Sequence, residues 1–337
     1  MRIFLLVLLC CSCAKTSYLI EQGVGQVALE WNGRDNSEVL ADPKVSKKDK
    51  NKIKLIQQAK KYFYDYFKMD STGIYDETTF LKNEAVTYLV IASKVEKVEA
   101  IKVEFPIMGS FPYLGFFSEE SAKEYKSEQD KKGFSTYMRK VYAYSTLNQW
   151  MFDDNILSSF FLLDDEQLVE LIFHELVHTV IFVKNDVPFN ENLAQFISQR
   201  LLEEFFHYDM IRKEQIQKDK LKNSELLALI VEQVKELNAL YAQNKNYQQT
   251  LDTFLKNKFI PAVQVKCSEL AMIQCWPLKE PWNNARFAAL GTYVAKQDRI
   301  LDLFKGSKKN LKEFFHWIIK KYDKFEGNKK FLDYLES

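Results

Sequence analysis

His174 and His178 stand four residues apart, and Glu175 directly follows the first of them. On a helix that spacing is just over one turn, so both imidazoles leave the same face and can reach one zinc ion. A carboxylate beside them can accept a proton from water acidified by the ion, which is the chemistry of metal-assisted hydrolysis. The chain has 4 histidines in all, and two of them fall in this pattern. In such a composition the pattern is expected by chance on the order of 0.01 times per chain. The plainer alternative is a pair of core histidines bonded to nearby carboxylates. Against it stand the flanking Leu168, Leu171, Ile172, Phe173, Leu176, Val177, Val180 and Ile181, which make a helix buried nearly all round, where such polar groups need a strong partner.

A catalytic zinc takes three protein ligands and keeps one position for water. Beyond the turn Lys184–Pro188 comes Phe189-Asn190-Glu191-Asn192-Leu193-Ala194, which reads as the start of a second helix with Asn190 as its cap. Glu191 then falls in the first turn and is the chosen third ligand; Glu203, His207 and Glu170 are weaker substitutes. Peptide hydrolysis follows, with Glu175 passing its proton to the leaving amine. Tyr293, Tyr144 and Arg286 are candidates for stabilising the oxyanion, each with a plainer reading as core tyrosine or surface charge.

The elements that must hold these groups are legible as periodicities. Asp164 caps a helix running to about Phe182, with Asp165 and Glu166 in its first turn. The second helix runs from Asn190 to about His207, and a third from Ile211 to about Asn244, with Leu226, Leu227, Ile230, Val234, Leu237 and Leu240 as its buried stripe. Upstream, Ile53, Leu55, Ile56, Ala59, Tyr62, Phe63, Tyr66 and Phe67 mark a helix from Ser46 or Lys47 to about Lys68, and another lies near Ser118–Lys132. Val86–Ile91, the alternating Ile101, Val103 and Phe105, and Tyr137–Ser145 read as strands, with Met108–Phe117 as a turn or loop. Tyr18–Ala41 is mixed and contains Gly23, Gly25 and Gly33. Pro261, Pro277 and Pro281 interrupt the chain before a helical pair, Ala285–Phe304 and Leu311–Tyr322.

Composition narrows the partners. Lys plus Arg number 47 and Asp plus Glu 46, so no field of one sign exists to hold nucleic acid or an anionic membrane by charge alone. At the N-terminus, Arg2 precedes the apolar run Ile3–Leu9, which is too short to span a bilayer and ends at Cys10, Cys11, Ser12, Cys13 and Ala14. This layout is that of a secretory signal over residues 1–12, of the lipoprotein type, with Cys13 as the favoured lipidated residue and Cys11 or Cys10 as alternatives; a cleaved signal without lipid is the other reading. An exported chain would then keep Cys267 and Cys275, for which a local disulfide and two free thiols are equally open.

His174-Glu175-Leu176-Val177-His178 followed by Phe189-Asn190-Glu191 resembles the zinc site of a family of bacterial predicted aminopeptidases that are lipoproteins, a gluzincin-like group. Cys13 with Tyr18-Leu19 and Gly25-Gln26, the segment 109–117, and Ala143-Tyr144-Ser145-Thr146-Leu147 with Trp150 and Asp153 resemble the family's opening and middle. Asn283-Asn284-Ala285-Arg286 with Tyr293 resembles its C-terminal motif. The resemblance covers most of the chain and implies a zinc peptidase with His174, His178 and Glu191 as ligands and Glu175 as base. It adds Asn283, Asn284 and Tyr293 as site candidates. By analogy with other gluzincins, Ala143, Tyr144, Ser145 and Thr146 form an edge strand that holds an extended peptide by backbone hydrogen bonds. The Gly-x-Met-Glu-Asn anchor of well-known zinc aminopeptidases has no counterpart here.

The expected fold is therefore α+β and helix-rich, zincin-like, with a small sheet packed against the motif helix and additional C-terminal helices. It is expected as one peptidase unit over 13–337, with an α/β part at about 13–160 and a helical part at about 161–337. Expected partners are a peptide substrate and, through the lipid anchor, an envelope membrane facing the periplasm. The alternatives are a non-catalytic envelope lipoprotein that binds a partner, and a zinc endopeptidase or amidase acting on envelope peptides; an intact Glu175 speaks for catalysis.

Overall fold

The computed structural model describes residues 13–105, 109–142, 154–184, 186–291, 298–327 and 329–336. They form a helix-rich α+β protein in two compact units. The first unit comprises Met1–Val86, Val141–His207 and Ala295–Ser337, and the second Thr87–Lys140 and Tyr208–Val294. The expected signal, 1–12, lies outside the described residues.

In the first unit, helix α1 (Cys13–Trp31) leads through β1 (Arg34–Asp35) and α2 (Asn36–Ala41) to α3 (Lys47–Phe67). The mixed reading of Tyr18–Ala41 is corrected here, because Gly23 and Gly25 are carried inside α1, Gly23 with open space around it. Ser46 caps α3 by accepting a hydrogen bond from the Asp49 amide, and Lys68 ends it in the left-handed conformation. Strands β2 (Glu77–Thr79) and β8 (Ile156–Leu157) complete a three-stranded sheet of order β1-β2-β8, antiparallel between β1 and β2 and parallel between β2 and β8. A 3₁₀ turn at Ser158–Leu162 then feeds α5 (Asp165–Val180) and, after a short loop, α6 (Val187–Phe205). The unit ends in α11 (Asp298–Ser307), α12 (Leu311–Tyr322) and α13 (Phe331–Leu335).

An aromatic core joins these helices. Phe63 and Phe67 of α3 meet Phe173 of α5 and Phe315 of α12, the tightest pair being Phe67 and Phe315 with ring centroids 4.7 Å apart. Such rings bury large apolar areas in defined edge and offset geometries, which fixes helix positions more sharply than aliphatic contact alone. His316 of α12 hydrogen-bonds through Nε2 to the Phe67 carbonyl at 2.7 Å, satisfying an orphan acceptor at the end of α3.

In the second unit, β3 (Thr87–Ser93) lies between β6 (Leu114–Phe116) and β7 (Ser135–Val141), while β4 (Val103–Phe105) pairs antiparallel with β5 (Gly109–Phe111). The segment expected as a turn or loop thus supplies two strands around the bend at 112–113. Helix α4 (Glu119–Lys131), capped by Ser118, precedes β7. The long α7 (Met210–Gln243) buries Leu226, Ile230, Leu237 and Tyr241 against Leu251, Phe254, Phe259, Val263, Trp282 and Phe287. Pro261 does not interrupt the chain as expected. Helix α8 (Tyr247–Phe254) passes through a π-helical turn, Leu255–Phe259, into α9 (Ile260–Glu269), and Pro261 sits in the first turn of α9, just after the wider turn. Cys267 and Cys275 form a disulfide with Cα atoms 5.8 Å apart. Helix α10 (Asn284–Gly291) follows, and residues 292–297, within the expected helix Ala285–Phe304, lie outside the described residues.

Candidate metal centre

Helix α5 owes its position to both ends. Asp164 and Gln167 make a reciprocal capping box. The nearly buried Lys52 ammonium on α3 bonds the Leu163 carbonyl at 2.6 Å and the Asp165 carboxylate at 2.7 Å, tying the start of α5 to the neighbouring helix. Leu168, Val169, Ile172, Phe173, Leu176 and Val177 are buried. Nearly three and nearly four turns from the cap, at about 3.6 residues per turn, His174 is half-buried and His178 buried, and their rings stand almost perpendicular at 85° with centroids 4.7 Å apart.

The partner helix begins earlier than the sequence suggested. α6 starts at Val187 with Pro188 in its first turn, where a missing amide hydrogen leaves no intrahelical bond unmade. Asn190 is therefore not the cap, and Glu191 lies beyond the first turn. The buried Asn190 side chain does something else: its Oδ1 accepts from the Val183 amide at 2.8 Å and its Nδ2 donates to the Val183 carbonyl at 2.9 Å. This pair of hydrogen bonds to the loop sets the register of α6 against α5. Gln195 adds a cross-helix bond to Glu170 at 2.6 Å. The loop is held from outside as well. Tyr322 of α12 donates to the Phe182 carbonyl at 2.7 Å, and the Asp186 carboxylate accepts from the Phe331 amide at 3.2 Å.

These supports bring His174, His178 and Glu191 together. The two Nε2 atoms are 3.1 Å apart; Glu191 places Oε2 3.3 Å from His174 Nε2 and Oε1 3.5 Å from His178 Nε2. Among the described residues this is the one group of three potential ligands whose donor atoms converge, all within 4.8 Å. Donors at about 2.0–2.1 Å from a tetrahedral ion stand about 3.3 Å from each other. The observed separations match that figure, so the residues fit a zinc ion. Two facing ring nitrogens can share only one hydrogen bond, whereas a dication satisfies both lone pairs and the carboxylate together. His178 Nδ1 is buried with no hydrogen-bond partner among the described residues.

Charge is shared unequally. Burial opposes a proton on His174, but the hydrogen bond to Glu191 and the charges of Glu175, Glu191 and Glu170 outweigh it, leaving the group above its ordinary 6.5. Burial and the adjacent His174 push His178 down to about 4. The hydrogen bond from His174 holds the exposed Glu191 carboxylate below its ordinary 4.5.

Glu175 is half-buried on α5. A neighbour the motif gave no sign of is Tyr75, wholly buried, with a left-handed backbone (φ 62°) fixed by its amide bonding the Asp154 carbonyl at 2.8 Å. Burial first, and the Glu175 charge next, raise its hydroxyl well above 10. A bulky residue held at positive φ stores strain that surrounding structure must hold in place. Nothing local in Gly73-Ile74-Tyr75 announces this.

Glu170 is bonded to Gln195, and Glu203 pairs with Arg200 at 3.4 Å. His207 ends α6 at positive φ. Asn283, Asn284 and Arg286 belong to the second unit. Asn283 bonds the Thr136 carbonyl and accepts from the Arg286 amide. Asn284 is buried, donates to the Lys94 and Val95 carbonyls, and accepts from the Tyr241 hydroxyl. Arg286 bonds the Glu280 and Pro281 carbonyls and stacks over Trp282 at 4.3 Å. In this unit these groups therefore act as fasteners of the chain before α10. Ala143, Tyr144, Ser145, Thr146 and Tyr293 lie outside the described residues, and nothing is described of the Cys13 side chain.

A family model described as "Putative aminopeptidase" matches residues 17–330. No curated protein and no solved structure matches the chain.

Proposed function

The chain belongs to the putative aminopeptidase family, and from that premise we propose that it is a zinc-dependent peptidase whose metal is held by His174, His178 and Glu191. The observation that carries this reading is the convergence of those three side chains from two helices at separations suited to one tetrahedral ion. Zinc bound there supplies a Lewis acid for the scissile carbonyl and lowers the pKa of attacking water. Glu175, one residue along α5 from His174, accepts the proton of that water and then delivers it to the leaving amine. The half-burial of Glu175 strengthens its interactions relative to open water. Tyr75, whose hydroxyl stays protonated throughout the neutral range, keeps a neutral group in the field of Glu175 rather than a second anion. Delivery to an envelope membrane by a lipid on Cys13 completes the proposal; an envelope peptide is then the substrate class.

The test is metal content and turnover of a peptide library, wild type against Glu175→Gln. Zinc retained in both, with turnover falling by about 10²–10⁴-fold in the variant, is the expected result. Zinc in both with turnover in neither would turn the site over to partner binding, and a chain that takes up no zinc would remove the proposal.

A further inference from the structure

Helix α1 carries its apolar residues on the wrong side for a core. Ile20, Val24, Val27 and Trp31 recur at helical spacing within one narrow strip and are 61%, 64%, 58% and 82% exposed. Leu29, on the opposite side, is buried, with Tyr18, Gln22 and Gly25 half-buried beside it. The Leu29 carbonyl accepts from Thr79 Oγ1 at 2.8 Å and from Asn155 Nδ2 at 3.3 Å, so that side is pinned to the β1-β2-β8 sheet region. Turning the strip inward would break both bonds.

No described helix is long and apolar enough to cross a membrane, α1 included. Directly before α1 the sequence runs through the apolar stretch Ile3–Leu9 into cysteines. We propose that the outward strip of α1 lies in the interfacial layer of a lipid bilayer, with the helix parallel to the surface. The inference rests on the lipid-anchor reading of Cys13 and is independent of the peptidase chemistry. From Cys13 to Ile20 the helix rises only about 10 Å, so a lipid on Cys13 holds the strip at headgroup level. A lipoprotein cysteine carries a diacylglyceryl group, and dual acylation by itself gives stable anchoring, so the four apolar side chains set how the helix lies on the surface and not whether the chain stays attached. A second copy is the poorer occupant: these side chains offer roughly a few hundred Å² on each copy, which at best only reaches the ~1,000 Å² total that a specific interface buries, whereas Cys13 lies at the start of the same helix. The helix holds Lys15, Glu21 and Glu30, so the attachment is apolar and insensitive to salt.

The experiment uses the full chain as processed by an exporting cell, reconstituted into phosphatidylethanolamine–phosphatidylglycerol vesicles carrying nitroxide-labelled lipid. Wild type, Trp31→Phe and Val24→Glu/Val27→Glu are compared by tryptophan fluorescence, and mass spectrometry of the N-terminal peptide reports lipidation separately. The expected result is a lipid-quenched component lost in Trp31→Phe, and lost in the double variant with a matching gain in acrylamide quenching. A lipidated chain whose Trp31 is equally open to acrylamide with and without vesicles overturns the proposal and leaves the anchor standing. An unlipidated chain that stays off the vesicles overturns both. Protection that grows with protein concentration in the absence of lipid assigns the strip to a second copy instead. Peptide turnover in solution, assayed in parallel, reports the peptidase reading separately from all of these.

Discussion

Protons and metal compete for the same atoms at His174, His178 and Glu191, and the three groups hold protons very differently. His174 is raised by its hydrogen bond to Glu191 in spite of burial, His178 is pushed down to about 4, and Glu191 is lowered. Between pH 6.5 and about 4, the metal-free site therefore carries one proton, on His174. Zinc binding must displace it, so affinity should fall about tenfold per pH unit across that window. Calorimetry in buffers of different ionisation enthalpy should register release of about one proton; release of two would show His178 protonated as well and refute the assignment. The signs for stability follow from the same shifts. The His174 contribution is complete below its unfolded value and lost as pH rises through its raised folded value; that of Glu191 is present above 4.5 and lost as pH falls through its lowered one.

Two helices must keep register for these groups to meet, and Asn190 is the device that sets it. Its amide replaces what would be a strand partner for Val183, satisfying that residue's donor and acceptor in a buried loop. Asn190→Ala leaves both without partners and should cost about 2–4 kcal/mol in urea unfolding. Because Glu191 is the next residue along α6, zinc affinity should weaken by about 10–100-fold, the size of effect known for outer-shell supports. Unchanged affinity in a folded Asn190→Ala protein would show that α6 holds Glu191 without the loop. The element-level signals in the sequence were good where they were local. Asp164 caps the helix it was expected to cap, and the helices expected to start at Ser46 or Lys47 and near Ser118 begin there, each with its serine as cap. They failed where a strong local preference served another purpose: Asn190 resembles a cap, yet Pro188 had already started the helix, and Pro261 resembles a break, yet a π turn absorbs it.

At the scale of the molecule, His174, Glu175, His178 and Glu191 all reside in the first unit, and the disulfide in the second. A bridge across a sequence separation of 8 removes little chain entropy, and by loop-closure reasoning Cys267→Ser/Cys275→Ser should cost roughly 2.5 kcal/mol. The loss should appear as a lower thermal transition for the second unit, with zinc content unchanged. Zinc lost together with the disulfide would show that the site depends on the second unit's stability. A bridge of this kind persists in an oxidising compartment, which is what the proposed export of the chain would provide.

The sequence by itself determined that two imidazoles and a carboxylate share one helix, because an i, i+4 relation is a property of the helix and needs no tertiary contact. It also determined the apolar stripes of α3 and α7, since periodicity fixes which face is buried. Only the tertiary structure decided that Glu191 returns to those imidazoles, through a loop stitched by Asn190 and clasped by Tyr322 and Phe331 from a distant part of the chain. It alone brought Tyr75 into the field of Glu175, and turned the strip of α1 outward by pinning Leu29 on the other side. Closures of this kind depend on packing between segments far apart in sequence, and no local pattern of residue types encodes where such segments meet.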